Sequence, residues 1–249
     1  MDVEVVNILG VPVEAHTMPS LLRRLEQLLA QPGCATAYGV NAYALNLTYQ
    51  HPEYLQALRR ADVVYTDGAS LQLAAKLLGR YIPEKLTTTD VWPEACVLAV
   101  ERGYRFFLLG GEDGLAERAR VQALRQYPQL QIVGTHHGYF AFDDERIIDT
   151  LNAARPDILW VGMGDPRQVL WTERAKERLK AGVIITCGGM FKIVAGELER
   201  ASRQWRQRGF EWLYRLLQEP QTWRRYLLGL PAFSARVFAQ RVLGHRNTL

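Results

Sequence analysis

The chain has 249 residues, of which 48% are hydrophobic, 22% charged and 10% aromatic, and its net charge at pH 7 is +4. Area scaling predicts that a chain of this length exposes roughly 11,000 Å² when folded and about 41,000 Å² when unfolded, so a large core can form. The apolar content and the absence of a sustained heptad repeat exclude a disordered chain, a collagen and a coiled coil.

Up to about residue 195, apolar strand-like runs alternate with amphipathic helical runs. The predicted strands are Val3–Ile8, Ala35–Val40, Val63–Thr66, Tyr104–Leu109, Gln131–Thr135, Ile158–Val161 and Val183–Cys187. The helices predicted between them are Met18–Ala30, Pro52–Arg59, Ser70–Leu78, Asp113–Tyr127, Asp144–Ala153 and Pro166–Lys180. Runs such as RFFLLGG and DILWVGMG are apolar on both faces, as in strands covered by helices on each side. The alternation predicts a doubly wound, mostly parallel α/β sheet.

The charge is concentrated at the C-terminal end of the chain. From Gly196 onward there are ten arginines, no lysine and four acidic residues, giving +6, whereas the first 195 residues carry −2. Residues 197–246 have helical patterns only, which we expect to be interrupted at Pro220 and Pro231. The sequence therefore predicts an α/β core over residues 1–195 and a helical appendage over residues 196–249.

Three interpretations of this appendage stay open. Arginines interleaved with tryptophan and tyrosine are typical of nucleic-acid binding. The same residues suit helices that lie on an anionic lipid surface, with arginine and aromatic groups at headgroup depth. The arginines could also form a solvated face while the tryptophans pack on the core.

Glycine and polar turns follow several predicted strands, at the sheet edge where open α/β sheets bind ligands. The turn GGEDG, from Gly110 to Gly114, lies between a strand and a helix, where free backbone N–H groups favour a phosphate. The same glycines could simply allow a tight turn. The turn is neither a GxGxxG nor a P-loop sequence, which gives little support to NAD binding or ATP hydrolysis.

Asp67 ends an apolar strand and precedes Gly68. A carboxylate in that position is partly desolvated and suits a general base. Capping of the helix that starts near Ser70 is the more common role for such an aspartate. We expect Asp62, before the same strand, to be a turn or cap residue.

Metal-binding and redox signals are weak. His136 and His137 are adjacent, so in a strand their side chains point to opposite faces, and neither HExxH nor DxD occurs. We predict no metal site.

Cys34, Cys96 and Cys187 are scattered and odd in number, which predicts a reducing, cytoplasmic setting, with Cys187 buried rather than nucleophilic. The acidic N-terminus and the lack of ~18 consecutive apolar residues predict neither a signal peptide nor a membrane span.

Nine motifs occur in order over about residues 3–228. They are GVN ending at Asn41, ADVVYTDG ending at Gly68, PEKLTTTD ending at Asp90, LLGG ending at Gly111, HHGYF ending at Phe140, GMGDPRQ ending at Gln168, GGMFK ending at Lys192, FEWLYRLLQEP ending at Pro220 and WRRYL ending at Leu227. This series resembles the WecG/TagA/CpsF family of bacterial glycosyltransferases, and the string FEWLYRLLQEP is the most specific part of the match.

The resemblance implies a Rossmann-like, inverting and metal-independent glycosyltransferase without a cofactor. Such an enzyme moves N-acetylmannosamine or a related sugar from a UDP-sugar donor to a polyprenyl-diphosphate-linked acceptor, in cell-surface polysaccharide or teichoic acid synthesis. It implies a cytoplasmic protein, peripheral on the anionic inner face of the cell membrane. It allows a homo-oligomer, and nucleic acid is not an expected partner.

The resemblance also assigns roles to residues. Asp67 corresponds to the general base, and Asn41 and Gln168 to neighbours in its pocket. The substrate-binding positions that it implies are Gly68, Lys85, Asp90, Gly110, Gly111, Tyr139, Gly189, Lys192, Arg215, Arg224 and Arg225.

The chain departs from the family pattern at six polar positions. Gly39 stands where the family has Thr, and Thr88 where it has Gly. Lys85 replaces Arg and loses its bidentate fork, and Lys192 replaces Asp and so reverses a charge. The remaining two are Val169 for Glu and Ser202 for Pro. These departures leave two alternatives open: a non-catalytic nucleotide-sugar-binding or scaffold protein, and a nucleic-acid-binding module.

Overall fold

The structure, a computed structural model, describes residues 3–202, 204–205 and 211–244. The strands are β1 Val5–Ile8, β2 Val11–Glu14, β3 Ala35–Val40, β4 Val63–Thr66, β5 Arg105–Gly110, β6 Gln131–His136, β7 Ile158–Gly162 and β8 Val183–Thr186. The helices are α1 Met18–Leu29, α2 Ala42–Leu47, α3 Pro52–Arg59, α4 Ala69–Leu77, α5 Thr88–Arg102, α6 Leu115–Gln126, α7 Glu145–Ala154, α8 Arg167–Ala175, α9 Met190–Val194, α10 Glu211–Gln218 and α11 Gly229–Leu243.

The eight strands form one sheet in the order β1-β2-β4-β3-β8-β7-β5-β6. The β1–β2 pair is antiparallel, and all other pairs are parallel. Every residue of β4, β7 and β8 is buried, because helices cover both faces of the sheet. The predicted doubly wound, mostly parallel α/β sheet is thus confirmed.

The β1–β2 hairpin is not predicted by the sequence. Its turn consists of Leu9 and Gly10, with φ angles of 53° and 84°. A two-residue turn with both angles positive usually carries Asn-Gly or Asp-Gly, so a leucine in the first position gives no turn signal. The predicted strand Val3–Ile8 therefore corresponds to β1 alone, and β2 was not predicted.

The helices that follow β3 and β8 lie on opposite faces of the sheet. These strands are neighbours, yet α2, which follows β3, packs on one face, and α9, which follows β8, packs on the other. Such a switch opens a crevice at the carboxyl ends of the two strands. The switch point places Asn41, after β3, beside Cys187 to Gly189, after β8.

Helix α11 packs on α2 and α4, on one side of the sheet. Phe233 and Val237 of α11 are buried in the same apolar cluster as the core of that face. Pro231 lies inside α11, so the predicted interruption there is wrong. Proline donates no N–H, and the π-helical turn at Arg224–Leu228 lies directly upstream, as is typical where the helical ladder must rearrange. Phe210 and the arginines Arg203, Arg206, Arg208 and Arg246 lie outside the described residues.

Candidate active site

Asp67 and Asn41 lie side by side where β4 and β3 end. Asn41 caps α2, since its Oδ1 accepts the N–H groups of Tyr43 and Ala44 at 3.0 and 3.2 Å. Its Nδ2 therefore points away from the helix and donates to Asp67 Oδ2 at 3.1 Å. Asp67 Oδ1 accepts the N–H of Thr88 at 2.8 Å. The carboxylate is held in one orientation at the N-terminus of α5, where the helix dipole favours a negative charge.

The interpretation of Asp67 as the cap of the helix that starts near Ser70 is wrong. Helix α4 starts at Ala69, and no side chain caps it. The residue at the cap position is Gly68, with φ of 106°, a left-handed conformation that disfavours other residues. Gly68 donates its N–H to the carbonyl of Leu86 at 2.6 Å. Because the Asp67 carboxylate does not cap α4, it is free to face the crevice.

A cavity of about 200 Å³ opens beside Asp67, and we call it the Asp67 cavity. Six of the predicted site residues line it: Asn41, Asp67, Gly68, Lys85, Arg215 and Arg225. The guanidinium carbon of Arg225 lies 4.4 Å from the centre of the Tyr43 ring, so the ring helps to orient this cation over the cavity. Arg200 and Glu199 also line the cavity, so that its walls carry four cations and, with Asp67, two carboxylates.

A second cavity of about 280 Å³, the glycine cavity, lies at the ends of β5, β7 and β8. Its lining includes the predicted residues Gly111, Gly189, Lys192 and Arg215, together with Gly162, Gly164 and Gly188. A Cβ at Gly110, which precedes this lining, would lie 2.3 Å from the Gly162 carbonyl oxygen, and one at Gly111 would lie 2.4 Å from Leu115. Close packing accounts for these two glycines without a ligand, so phosphate binding by their turn stays a prediction.

Arg215 lines both cavities, and it shares the carboxylate of Glu219 with Lys192. Glu219 accepts from Lys192 Nζ at 2.9 Å and from Arg215 Nε at 3.2 Å. Burial alone would raise the pKa of Glu219, but the hydrogen bonds and charges of these two cations outweigh it and lower the pKa below its ordinary value. One carboxylate therefore serves two cations, and the positive charge at Lys192 is partly balanced from the C-terminal segment.

Gln168 ties together the loops that follow β7 and β8. Its side chain is buried, with Nε2 donating to Asp165 Oδ1 at 3.1 Å and Oε1 accepting the Gly188 N–H at 3.1 Å. Asp165 was not singled out from the sequence, because an aspartate within a glycine turn has the pattern of an ordinary turn residue. Loss of hydration raises the pKa of Asp165 to about 6, with opposing contributions from Tyr54, Gln168 and Arg225 and a smaller rise from Asp67.

This raised pKa predicts a pH dependence of stability that Asp165→Asn should remove. The folded protein binds the proton more tightly than the unfolded chain, whose Asp pKa is about 3.8. The stabilisation is therefore complete below about pH 4 and is lost as the pH rises through about 6. The difference between the two pKa values corresponds to at most about 3 kcal/mol. We expect chemical denaturation to show that the free energy of unfolding of the variant, relative to that of the wild type, rises by up to that amount between pH 4 and pH 7. A difference in unfolding free energy that does not change with pH would contradict this.

Four of the predicted substrate-binding residues, Asp90, Gly110, Tyr139 and Arg224, line neither cavity, and the predicted pocket residue Gln168 does not line one either. Asp90 lies in the first turn of α5, where it accepts the Thr87 hydroxyl at 2.6 Å and pairs with Arg200. Tyr139 is 77% exposed. Arg224 is exposed and lies over the Trp223 ring. Their substrate-binding roles stay predictions.

The structure also bears on the predictions made for metal binding, for Cys187, for Val169 and for a membrane span. In the part of the chain that the structure describes, no group of three or more His, Cys, Asp or Glu side chains is placed to hold a metal ion. Cys187 is buried, as predicted, and burial raises the pKa of its thiol, which disfavours the nucleophilic thiolate. Val169 is buried in the apolar core, so that departure from the family pattern lies in neither cavity. None of the helices within the described ranges is long and apolar enough to cross a bilayer.

Comparison with known proteins identifies the family of the chain. A sequence model of the Glycosyl transferase WecG/TagA/CpsF family matches residues 6–247. Similar curated proteins include the N-acetylglucosaminyldiphosphoundecaprenol N-acetyl-beta-D-mannosaminyltransferases of Staphylococcus aureus strains MW2 and NCTC 8325. Each is 26% identical over 236 residues, which cover 93% of this chain and 91% of the relative. The chain is therefore a glycosyltransferase and belongs to the WecG/TagA/CpsF family.

Proposed function

We propose that this protein transfers N-acetylmannosamine, or a related sugar, from a UDP-sugar to a sugar on a polyprenyl diphosphate, with inversion and without a metal ion. The relatives are named for such an acceptor and for N-acetylmannosamine transfer. The observation that carries the proposal for this chain is the fixed orientation of Asp67, whose carboxylate is held by Asn41 and Thr88 at the wall of a cavity lined with cations.

In the proposed reaction Asp67 is the general base. The acceptor hydroxyl gives its proton to the Asp67 carboxylate while its oxygen forms a bond to the anomeric carbon of the donor sugar. The bond from that carbon to the diphosphate oxygen breaks, and its electron pair stays on the departing UDP. Attack from the face opposite the leaving group inverts the anomeric configuration. A positioned base of this kind typically contributes about 10²- to 10⁴-fold to the rate.

The cations between the cavities suit the leaving group. Arg215 faces both the Asp67 cavity, where we place the acceptor hydroxyl, and the glycine cavity, where we place the donor diphosphate. Lys192 faces the same diphosphate position, and its pairing with Glu219 keeps it in place. Preorganised positive charge at a developing diphosphate stabilises the transition state. We propose that these side chains supply the charge that a metal ion provides in other transferases.

The exposed apolar residues of the C-terminal segment support a position on an anionic membrane surface. Leu217, Trp223, Leu227 and Leu228 are 67, 43, 55 and 60% exposed, and Arg224 lies among them. Apolar and aromatic side chains beside arginine are typical of interfacial helices. We propose that this segment holds the enzyme at the inner face of the membrane that contains the polyprenyl acceptor.

A transfer assay tests the proposal. UDP-N-acetylmannosamine and N-acetylglucosaminyl-diphospho-undecaprenol are incubated with the full chain, with and without EDTA, and the anomeric configuration of the product is determined by NMR. We expect transfer that is indifferent to EDTA and gives the inverted product. In parallel, UDP at a hundred times its dissociation constant should stabilise the protein by about 2.7 kcal/mol, more than CDP or GDP at the same concentration. Binding of UDP without transfer would support the scaffold alternative, and loss of activity in EDTA would refute metal independence.

A further inference from the structure

Gly39 and Thr88 occupy one shared space beside Asp67. A Cβ added at Gly39 would lie 2.8 Å from Thr88 Oγ1 and 3.0 Å from the Tyr65 hydroxyl. Distances below 3.0 Å require one of the two groups to move, and Thr88 is buried, at 6% exposure. The space that a side chain at position 39 would need is therefore filled by the Thr88 hydroxyl. These are two of the six positions at which the chain departs from the family pattern, one losing a threonine and the other gaining one.

Thr88 is fixed relative to the proposed base by its backbone. Its N–H donates to Asp67 Oδ1 at 2.8 Å, and its side chain lines the Asp67 cavity. Thr88 is the first residue of α5, where its N–H has no partner within the helix. The Thr88 hydroxyl thus lies between α5 and β3, in the space that a side chain at Gly39 would also need.

The Thr88 hydroxyl also shares a hydrogen bond with Tyr65, at 3.1 Å between the two oxygens. Burial raises the pKa of Tyr65, so its phenol keeps its proton. Two hydroxyls carry two protons, and the bond between them uses one. When Tyr65 donates to Thr88, the Thr88 proton remains for an oxygen in the cavity.

We propose that Gly39 and Thr88 form a reciprocal exchange: Thr88 provides the substrate-binding hydroxyl of the Asp67 cavity, and Gly39 provides the room for it. The ligand group is an oxygen of the acceptor sugar next to the hydroxyl that Asp67 deprotonates. The substrate-binding role of the Thr88 hydroxyl rests on the proposed transfer reaction. The shared space is a property of the folded protein and can be tested without any substrate.

The shared space is tested by thermal unfolding of Gly39→Thr, Thr88→Gly and the double variant. Gly39→Thr forces a side chain against Thr88 and Tyr65, and we expect its Tm to fall by about 5 °C. Adding Thr88→Gly should raise the Tm of that variant, although the same change made alone lowers the Tm of the wild type. A double variant that melts below Gly39→Thr would overturn the exchange.

The hydroxyl is tested by transfer kinetics of Thr88→Val and Thr88→Ser. Valine keeps the shape of threonine without the hydroxyl, and we expect turnover to fall about tenfold, whereas serine should stay within about threefold of the wild type. The Gly39→Thr/Thr88→Gly variant should recover turnover relative to Thr88→Gly alone. Turnover by Thr88→Val equal to that of the wild type would overturn the substrate-binding role. Absence of transfer by the wild type would refute the proposed function instead, and the Tm comparison would still decide the exchange.

Discussion

Replacing Asp67 by Asn should lower the rate of sugar transfer by about 10³-fold while the protein stays folded. The amide cannot accept the proton of the acceptor hydroxyl. It can still accept the Thr88 N–H through Oδ1, but its NH₂ group then faces Asn41 Nδ2, which is also a donor. We expect this mismatch to cost about 1 kcal/mol of stability. Transfer kinetics and denaturant unfolding of the same preparation measure the two effects.

Asp62→Asn is the matched control for Asp67→Asn. Asp62 precedes the same strand, β4, and its Oδ2 accepts the N–H and the hydroxyl of Thr36 at 2.9 and 3.1 Å. It belongs to the opposite end of the strand from Asp67, so its replacement changes hydrogen bonding without touching either cavity. We expect a stability loss of the same order with turnover near the wild-type value. Transfer by Asp67→Asn within tenfold of the wild type would remove Asp67 as the base.

Replacing Arg215 by Ala should lower turnover by about 10²-fold, the usual effect of removing one preorganised charge at the leaving group. Arg215→Lys should recover part of this loss, because lysine keeps the charge but not the two-pronged contact with a diphosphate. Since Arg215 also pairs with Glu219, a loss of packing in the C-terminal segment is the competing explanation.

Glu219→Gln separates these two explanations. It removes the negative partner of Arg215 and Lys192 but leaves both cations facing the glycine cavity. If Arg215 acts on the diphosphate, we expect Glu219→Gln to retain turnover within about fivefold, with no loss of UDP binding. Equal losses in Arg215→Ala and Glu219→Gln would mean that Arg215 serves mainly to hold the C-terminal segment in place.

The position of the site could be predicted because it depends on rules that are local in sequence. Asn41 and Asp67 each end an apolar strand, and the carboxyl ends of neighbouring parallel strands meet at one edge of the sheet. The turn of Leu9 and Gly10 was missed because leucine rarely adopts positive φ. Helix α5 is not among the predicted helices, since it begins with two threonines and contains Pro93, all of which have low helix propensity.

The pairings that complete the site could not be predicted in the same way. Lys192 meets Glu219 and Arg200 meets Asp90 only after the C-terminal segment packs on the core. Gly39 and Thr88 each appear in the sequence as isolated departures from a family pattern, and only their distance in the fold relates them. Contacts between segments far apart in the chain carry no periodicity that a single sequence reveals.

The arrangement of the Asp67 cavity has a consequence for how the enzyme is made. One wall of the cavity comes from residues that directly follow β3, β4 and β8, and another from Arg215, Arg225 and Leu230, which are synthesised long after Asp67. A chain that stops before these residues carries the base but lacks cations that we assign to the departing diphosphate. Under the proposed mechanism, incomplete translation products and chains cut ahead of residue 211 are inactive, so they consume no nucleotide sugar and no lipid-linked acceptor.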